Sequence, residues 1–107
     1  MKELREKVEA AFKQLKFSII YFNEVNNANG VDCWVQRSLD RQPLSVEIKK
    51  ATYDSSGGSM RTEPVMKNRL KDDLIAIVIN DYVLIEPMEQ HLKNCNKSGW
   101  RMLTILK

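Results

Sequence analysis

Two stretches of the chain alternate apolar and polar side chains, residues 30–35 and 44–50. This period of two predicts two strands, each with one buried face. Because only a short connection separates them, an antiparallel hairpin is the simplest arrangement. Such a hairpin could place Asp32 beside Glu47 and Lys49 on one face of a sheet.

The N-terminal part of the chain predicts a helix followed by a strand. Apolar side chains recur at helical spacing over residues 3–16, and aromatic and β-branched residues fill residues 17–22. The asparagine-rich stretch 26–30 predicts a turn before the first alternating strand.

The middle of the chain predicts a loop and a short helix. Residues 51–59 are rich in glycine and serine, which indicates a flexible loop. Thr62 is expected to cap a helix that has Pro64 in its first turn and ends near Lys71.

The C-terminal part predicts two strands, a helix and a last strand. The continuous apolar run 74–79 is typical of an interior strand buried on both faces, and Asn80-Asp81 favours a tight turn after it. The remaining elements are a strand over 82–85, a short helix over 88–95 and a strand over 100–106.

Length and charge indicate one domain with a modest basic bias. The 107 residues suffice for a single core, so residues 1–107 are interpreted as one domain. The net charge is only +3, but residues 37–71 hold eight basic and four acidic side chains. This stretch suits a polyanionic partner, and a solvated surface of mixed charge explains it equally well.

Several classes of protein are disfavoured by the residues present. Cys33, Cys95 and His91 lack zinc-ligand spacing, so Cys33 is expected as a buried free thiol and His91 at the surface. Gly57-Gly58 lacks the lysine and spacing of a phosphate-binding loop, which argues against a nucleotide cofactor. The charged N-terminus and the absence of a membrane-length apolar run predict a cytoplasmic protein without a membrane partner.

The predicted hairpin carries the residues with the clearest chemistry. Asp32 and Glu47 offer carboxylate oxygens to a hard divalent cation, and Lys49 offers a positive charge to a phosphate. The alternative is that the acids lie on a solvated face and that Lys49 forms a cross-strand ion pair with Asp32.

An aspartate followed by Glu-x-Lys on the next strand resembles the PD-(D/E)XK nuclease superfamily, with Val31 where the family name has proline. The resemblance extends to the order of elements and covers most of the chain. It implies an α/β (α+β) fold, a restriction-endonuclease-like mixed β-sheet flanked by helices. The expected order is α-β-β-β-α-β-β-α-β.

The resemblance also implies a magnesium-dependent endonuclease that hydrolyses DNA phosphodiester bonds, with manganese as a substitute metal. Asp32 and Glu47 would hold the metal, and Lys49 would orient the water or neutralise the phosphate. Glu9 would add an acid from the first helix. The alternative for Glu9 is a solvated helix acid near Arg5 or Lys13.

The expected substrate is DNA, bound by phosphate contacts from Lys50, Arg61, Lys67 and Arg69. One small domain has one site, so cutting both strands of a duplex predicts a homodimer. Resolvase, homing, restriction and phage nucleases all remain open. Two alternatives are a catalytically inactive module of the same fold that binds nucleic acid or a protein partner, and a subunit that is active only in a larger assembly.

Overall fold

A computed structural model describes residues 2–23, 30–54 and 58–103. Most of the asparagine-rich turn predicted at 26–30, the centre of the predicted loop and the end of the last strand lie outside the described residues. The elements are helices α1 (Lys2–Gln14) and α2 (Met88–Lys93), a 3-10 turn (Lys67–Arg69), and strands β1 (Ser18–Phe22), β2 (Cys33–Gln36), β3 (Leu44–Lys50), β4 (Thr52–Asp54), β5 (Ser59–Thr62), β6 (Leu74–Ile79), β7 (Tyr82–Pro87) and β8 (Arg101–Leu103).

The larger sheet has five strands in the order β1-β2-β3-β6-β7. Strands β2 and β3 pair antiparallel, as the alternating pattern predicts, whereas β3 and β6 are parallel. The apolar run of β6 is an interior strand, buried along most of its length, and Asn80 takes a φ of 56° in the turn into β7. The predicted fold class, a mixed sheet flanked by helices, is confirmed.

Helix α1 covers one face of the five-stranded sheet. Its buried side chains Val8 and Phe12 pack in one cluster with Cys33, Val35 and other apolar residues of β2, β3 and β6. Lys16 has a φ of 69°, and the N–H of Phe17 donates to the Phe12 carbonyl at 2.9 Å, which ends the helix. This cluster fixes which strand positions turn away from α1.

The opposite face of the sheet lies under a second, three-stranded sheet of order β4-β5-β8. A second cluster joins Met60 and Leu103 of the small sheet to Ile75 and Ile77 of β6 and to Met88 of α2. Since Glu47 pairs with Ile75 and Lys49 with Ile77 in the parallel register, both polar side chains of β3 point to this second face.

Two predictions for the middle of the chain are wrong. The predicted loop contains β4 and the first residue of β5, and Thr62 is a buried residue of β5 and not a helix cap. The predicted helix to Lys71 is reduced to the 3-10 turn. Pairing of β5 with the distant strand β8 overrides the local capping signal, and the paired strand buries Met60 and Thr62.

The described residues contain no helix long and apolar enough to cross a membrane.

Candidate active site

The structure brings Asp32 and Glu47 together. Asp32 lies one residue before β2, and its Oδ2 accepts a hydrogen bond from the N–H of Ile48 at 2.9 Å. This bond ties the start of β2 to the middle of β3. The Asp32 carboxyl group also lies close enough to Glu47 to raise the pKa of Glu47, both through hydrogen bonding and through its charge. The predicted pair of acids is therefore brought together at the start of β2 and the middle of β3.

The environment of Glu47 disfavours a second negative charge. Glu47 is only 6% exposed. Burial, followed by the hydrogen bond and the charge of Asp32, raises the pKa of Glu47 to about 8, and Lys49 opposes the rise. At neutral pH the protonated Glu47 carboxyl can therefore donate its hydrogen to the Asp32 carboxylate.

Lys49 lies on the same face, two residues beyond Glu47. Its Nζ donates to the carbonyl oxygen of Pro64 at 3.5 Å, and its charge acts on both Glu47 and His91. Residues 63–73, named here the covering segment, run over this face between β5 and β6. Lys49 thus links the acid pair to the covering segment.

The covering segment adds an acid that sequence reasoning missed. Asp72 is 5% exposed, its charge raises the pKa of Glu47, and burial raises its own pKa while Arg69 opposes the rise. Arg69 Nη1 lies 3.6 Å from Asp72 Oδ1, and Asp72 Oδ2 has no hydrogen-bond partner. The available signal was the pair of acids directly before the apolar run of β6.

Glu9 is not brought to the acid pair. Helix α1 lies on the other face of the sheet, and Glu9 forms an ion pair with Lys13 at 3.0 Å. Glu9 and Asp32 both act on Cys33. Burial raises the pKa of Cys33 to about 12, and the charges of Asp32 and Glu9 make smaller contributions. The geometry matches the alternative stated above, a helix acid paired with Lys13.

The four predicted phosphate contacts differ in exposure. Lys50 and Lys67 are exposed, and the Arg61 guanidinium lies over the Trp100 ring, 4.8 Å from its centroid. Arg69 does not fit the predicted role, because it is buried and its charge is engaged by Asp72. A buried guanidinium in an ion pair cannot serve as a surface phosphate contact without breaking that pair.

The donor set fits an open magnesium site. Mg²⁺ needs only one or two protein carboxylates, because water and substrate oxygens complete its octahedron. Asp32 and Glu47 supply two adjacent carboxyl groups, and the charge of Asp32 contributes to the raised pKa of Glu47. Within the described ranges, no group of three or more His, Cys, Asp or Glu side chains is arranged as a metal cage. A closed structural metal site is thus absent from the described residues, whereas the two carboxyl groups fit an open site.

The mixed five-stranded sheet with its flanking helices is a fold that is also found in a solved structure. A bacterial homing endonuclease, I-Ssp6803I, has a similar structure, with a TM-score of 0.73 over 99% of this chain and 73% of that chain. The two sequences are only 7% identical, so the likeness is one of fold. No protein-family model and no curated protein sequence matches the chain.

Proposed function

We propose that the protein is a metal-dependent endonuclease of the PD-(D/E)XK type that hydrolyses DNA phosphodiester bonds. The observation that carries the proposal is that the hydrogen bond from Ile48 holds the Asp32 carboxylate beside Glu47, with Lys49 on the same face. The similarity of fold to a homing endonuclease supports it. Neither the fold alone nor a pair of acids alone would support an endonuclease function.

Asp32 and Glu47 would hold a Mg²⁺ ion through one carboxylate each. A bound Mg²⁺ polarises the scissile phosphate and lowers the pKa of a coordinated water. Glu47 must lose its proton to act as a ligand, so metal affinity should rise as the pH approaches the Glu47 pKa of about 8. The backbone N–H of Ile48 holds the Asp32 carboxylate in place for this role.

Lys49 would act on the phosphate. Its ammonium group is held by the Pro64 carbonyl and lies close enough to lower the pKa of Glu47. A positive charge in this position stabilises the negative charge that develops on the phosphate oxygens, or orients the attacking water. The exposed Lys50 and Lys67, together with Arg61, would contact the DNA backbone without reading bases.

The first test removes one metal ligand while keeping the fold. Asp32→Asn retains an oxygen that can accept the Ile48 N–H but loses the charge. We expect at least a hundredfold loss of magnesium-dependent cleavage and weaker Mn²⁺ binding by calorimetry. The melting temperature should change little. Asp81→Asn is the matched control, because its exposed carboxylate pairs with Lys7 and should leave both readouts unchanged.

The burial of Glu47 favours one second candidate, a module of the same fold that binds nucleic acid or a protein without cutting. A carboxylate that is 6% exposed beneath the covering segment is poorly placed to meet a metal-bound substrate unless that segment moves. Mn²⁺ binding separates the candidates. If the parent protein binds DNA but Mn²⁺ binding is unaffected by Asp32→Asn, the endonuclease proposal is wrong and the binding module remains.

A further inference from the structure

A concavity lined by two arginines lies at the other end of the five-stranded sheet. It encloses about 540 Å³ between the start of β1 and the turn that joins β2 to β3. Phe17 and Leu44 line the concavity. Both also pack against the cluster that contains Val8 and Phe12 of α1, so the concavity opens on the face of the sheet that α1 covers. Its lining residues are Phe17, Arg37, Asp40, Arg41, Gln42 and Leu44.

Arg37 is held at the concavity by an aromatic ring. Its guanidinium lies over the Phe17 ring, with the central carbon 4.6 Å from the ring centroid. The N–H donors of a guanidinium lie in its own plane, so stacking on a ring orients the group without using those donors. The N–H groups of Arg37 can therefore donate to an anion at the edge of the Phe17 ring.

Arg41 is fixed through its backbone. Its N–H donates to the Ser38 carbonyl at 3.1 Å, and its own carbonyl accepts from Gln36 Nε2 at 2.6 Å. Among the described residues, Asp40 is the acid that lines the concavity, and its carboxylate accepts a hydrogen bond from the Ser38 hydroxyl. Two hydrogen bonds therefore hold the backbone of Arg41 in the turn, while Asp40 bonds within the turn.

The two arginines leave a net positive charge at the concavity. Among the described residues, no carboxylate lies within ion-pair distance of Arg37 or Arg41. Two guanidinium groups on one concavity are the arrangement that binds the oxygens of a phosphate group, because each can donate two parallel N–H bonds.

We propose that Arg37 and Arg41 form a phosphate-binding site that is separate from the acid pair. The strand between Asp32 and Arg37 separates the two sites by roughly 16 Å at about 3.3 Å per residue. They also open on opposite faces of the sheet. The ligand is a compound with an exposed phosphate group, supplied either by a free nucleotide or by the backbone of a nucleic acid.

The test measures binding of inorganic phosphate by chemical-shift titration of the full chain. Arg37→Gln/Arg41→Gln should weaken phosphate binding at least tenfold. Arg41→Gln alone should weaken it at least threefold, and this variant guards against a folding defect, because Arg41 does not stack on Phe17. The control Lys93→Gln/Lys97→Gln removes the same charge from exposed residues elsewhere and should leave phosphate affinity unchanged.

Two further titrations identify the source of the phosphate. Tighter, arginine-dependent binding of a nucleoside 5′-monophosphate assigns a free nucleotide, whereas arginine-dependent binding of a short DNA duplex assigns the nucleic-acid backbone. The proposal is overturned if inorganic phosphate shifts no resonance of residues 37–44. Equal losses in the arginine and lysine variants would overturn it as well. Neither result bears on metal binding at Asp32 and Glu47, so the endonuclease proposal stands or falls independently.

Discussion

At the scale of single residues, sequence could place a side chain only where a local period decides its direction. Strand alternation put Glu47 and Lys49 on one face, and the hairpin brought Asp32 to them. Nothing local marks Arg69 as buried, because its burial depends on packing of the covering segment against a strand far away in the chain. His91 was expected at the surface for the same reason, and it is completely buried.

Arg69 should be a residue of stability and not of DNA binding. Arg69→Ala would leave the Asp72 carboxylate buried without its cation, which typically costs about 3–5 kcal/mol of unfolding free energy. Lys67→Ala, an exposed change two residues earlier, should cost less than about 0.5 kcal/mol. Urea unfolding of both variants measures the difference.

A double replacement checks the cause. Arg69→Leu/Asp72→Leu removes both charges, so it should be clearly more stable than Arg69→Ala if the loss comes from an unpaired buried acid. If the Arg69→Ala and Lys67→Ala variants are equally stable, the prediction is wrong and Arg69 is again a candidate phosphate contact.

At the scale of elements, the strands were predictable where their pattern is long, and the covering segment was not. Pro64 lies in this segment, between the Nζ of Lys49 and the turn that contains Gly99. Thr62 and Pro64 look like the start of a helix in isolation. Pairing of β5 with β8 and contact of Val65 with the second cluster hold the chain extended instead.

Gly99 should control the position of the covering segment. It has a φ of 88°, and an added Cβ would lie 2.9 Å from the Cβ of Pro64. Gly99→Ala therefore combines backbone strain with a clash, and we expect a loss of about 2–4 kcal/mol in unfolding free energy. Gly58→Ala is the control, because its φ of 67° is also positive but the nearest atom is 3.9 Å away.

The control should lose only about 1 kcal/mol, which is the cost of the backbone conformation without the clash. Thermal or urea unfolding gives both values. If the two alanine variants are equally stable, the contact between Gly99 and Pro64 does not constrain the covering segment.

At the scale of the whole molecule, apolar runs and alternating strands predicted the individual elements, and the resemblance to the nuclease superfamily implied that they form a mixed sheet flanked by helices. The parallel pairing of β3 with β6 was not, since no local signal specifies which strand an interior strand meets. That pairing sets Glu47 beside Ile75 and buries it under the small sheet and covering segment. The unusual electrostatics of the acid pair are thus a product of topology.

The free energy of unfolding should consequently pass through a maximum as the pH is varied. Burial raises the pKa of Glu47 to about 8 from an ordinary value of 4.5, so the folded state binds more protons than the unfolded state between these values. Stability is then lost as the pH rises toward 8. His91 acts in the opposite sense. Burial and the charge of Lys49 lower the pKa of His91 below its ordinary value of 6.5, so stability is lost as the pH falls from that value toward the lowered pKa.

Glu47→Gln should remove the alkaline loss, because a neutral amide has no proton to lose. In metal-free buffer the variant should therefore become progressively more stable relative to the parent as the pH rises from 5 to 8. Urea unfolding at several pH values measures the change. His91→Gln is the complementary variant and should flatten only the acid side. A constant difference between Glu47→Gln and the parent across this range would show that burial does not hold a proton on Glu47.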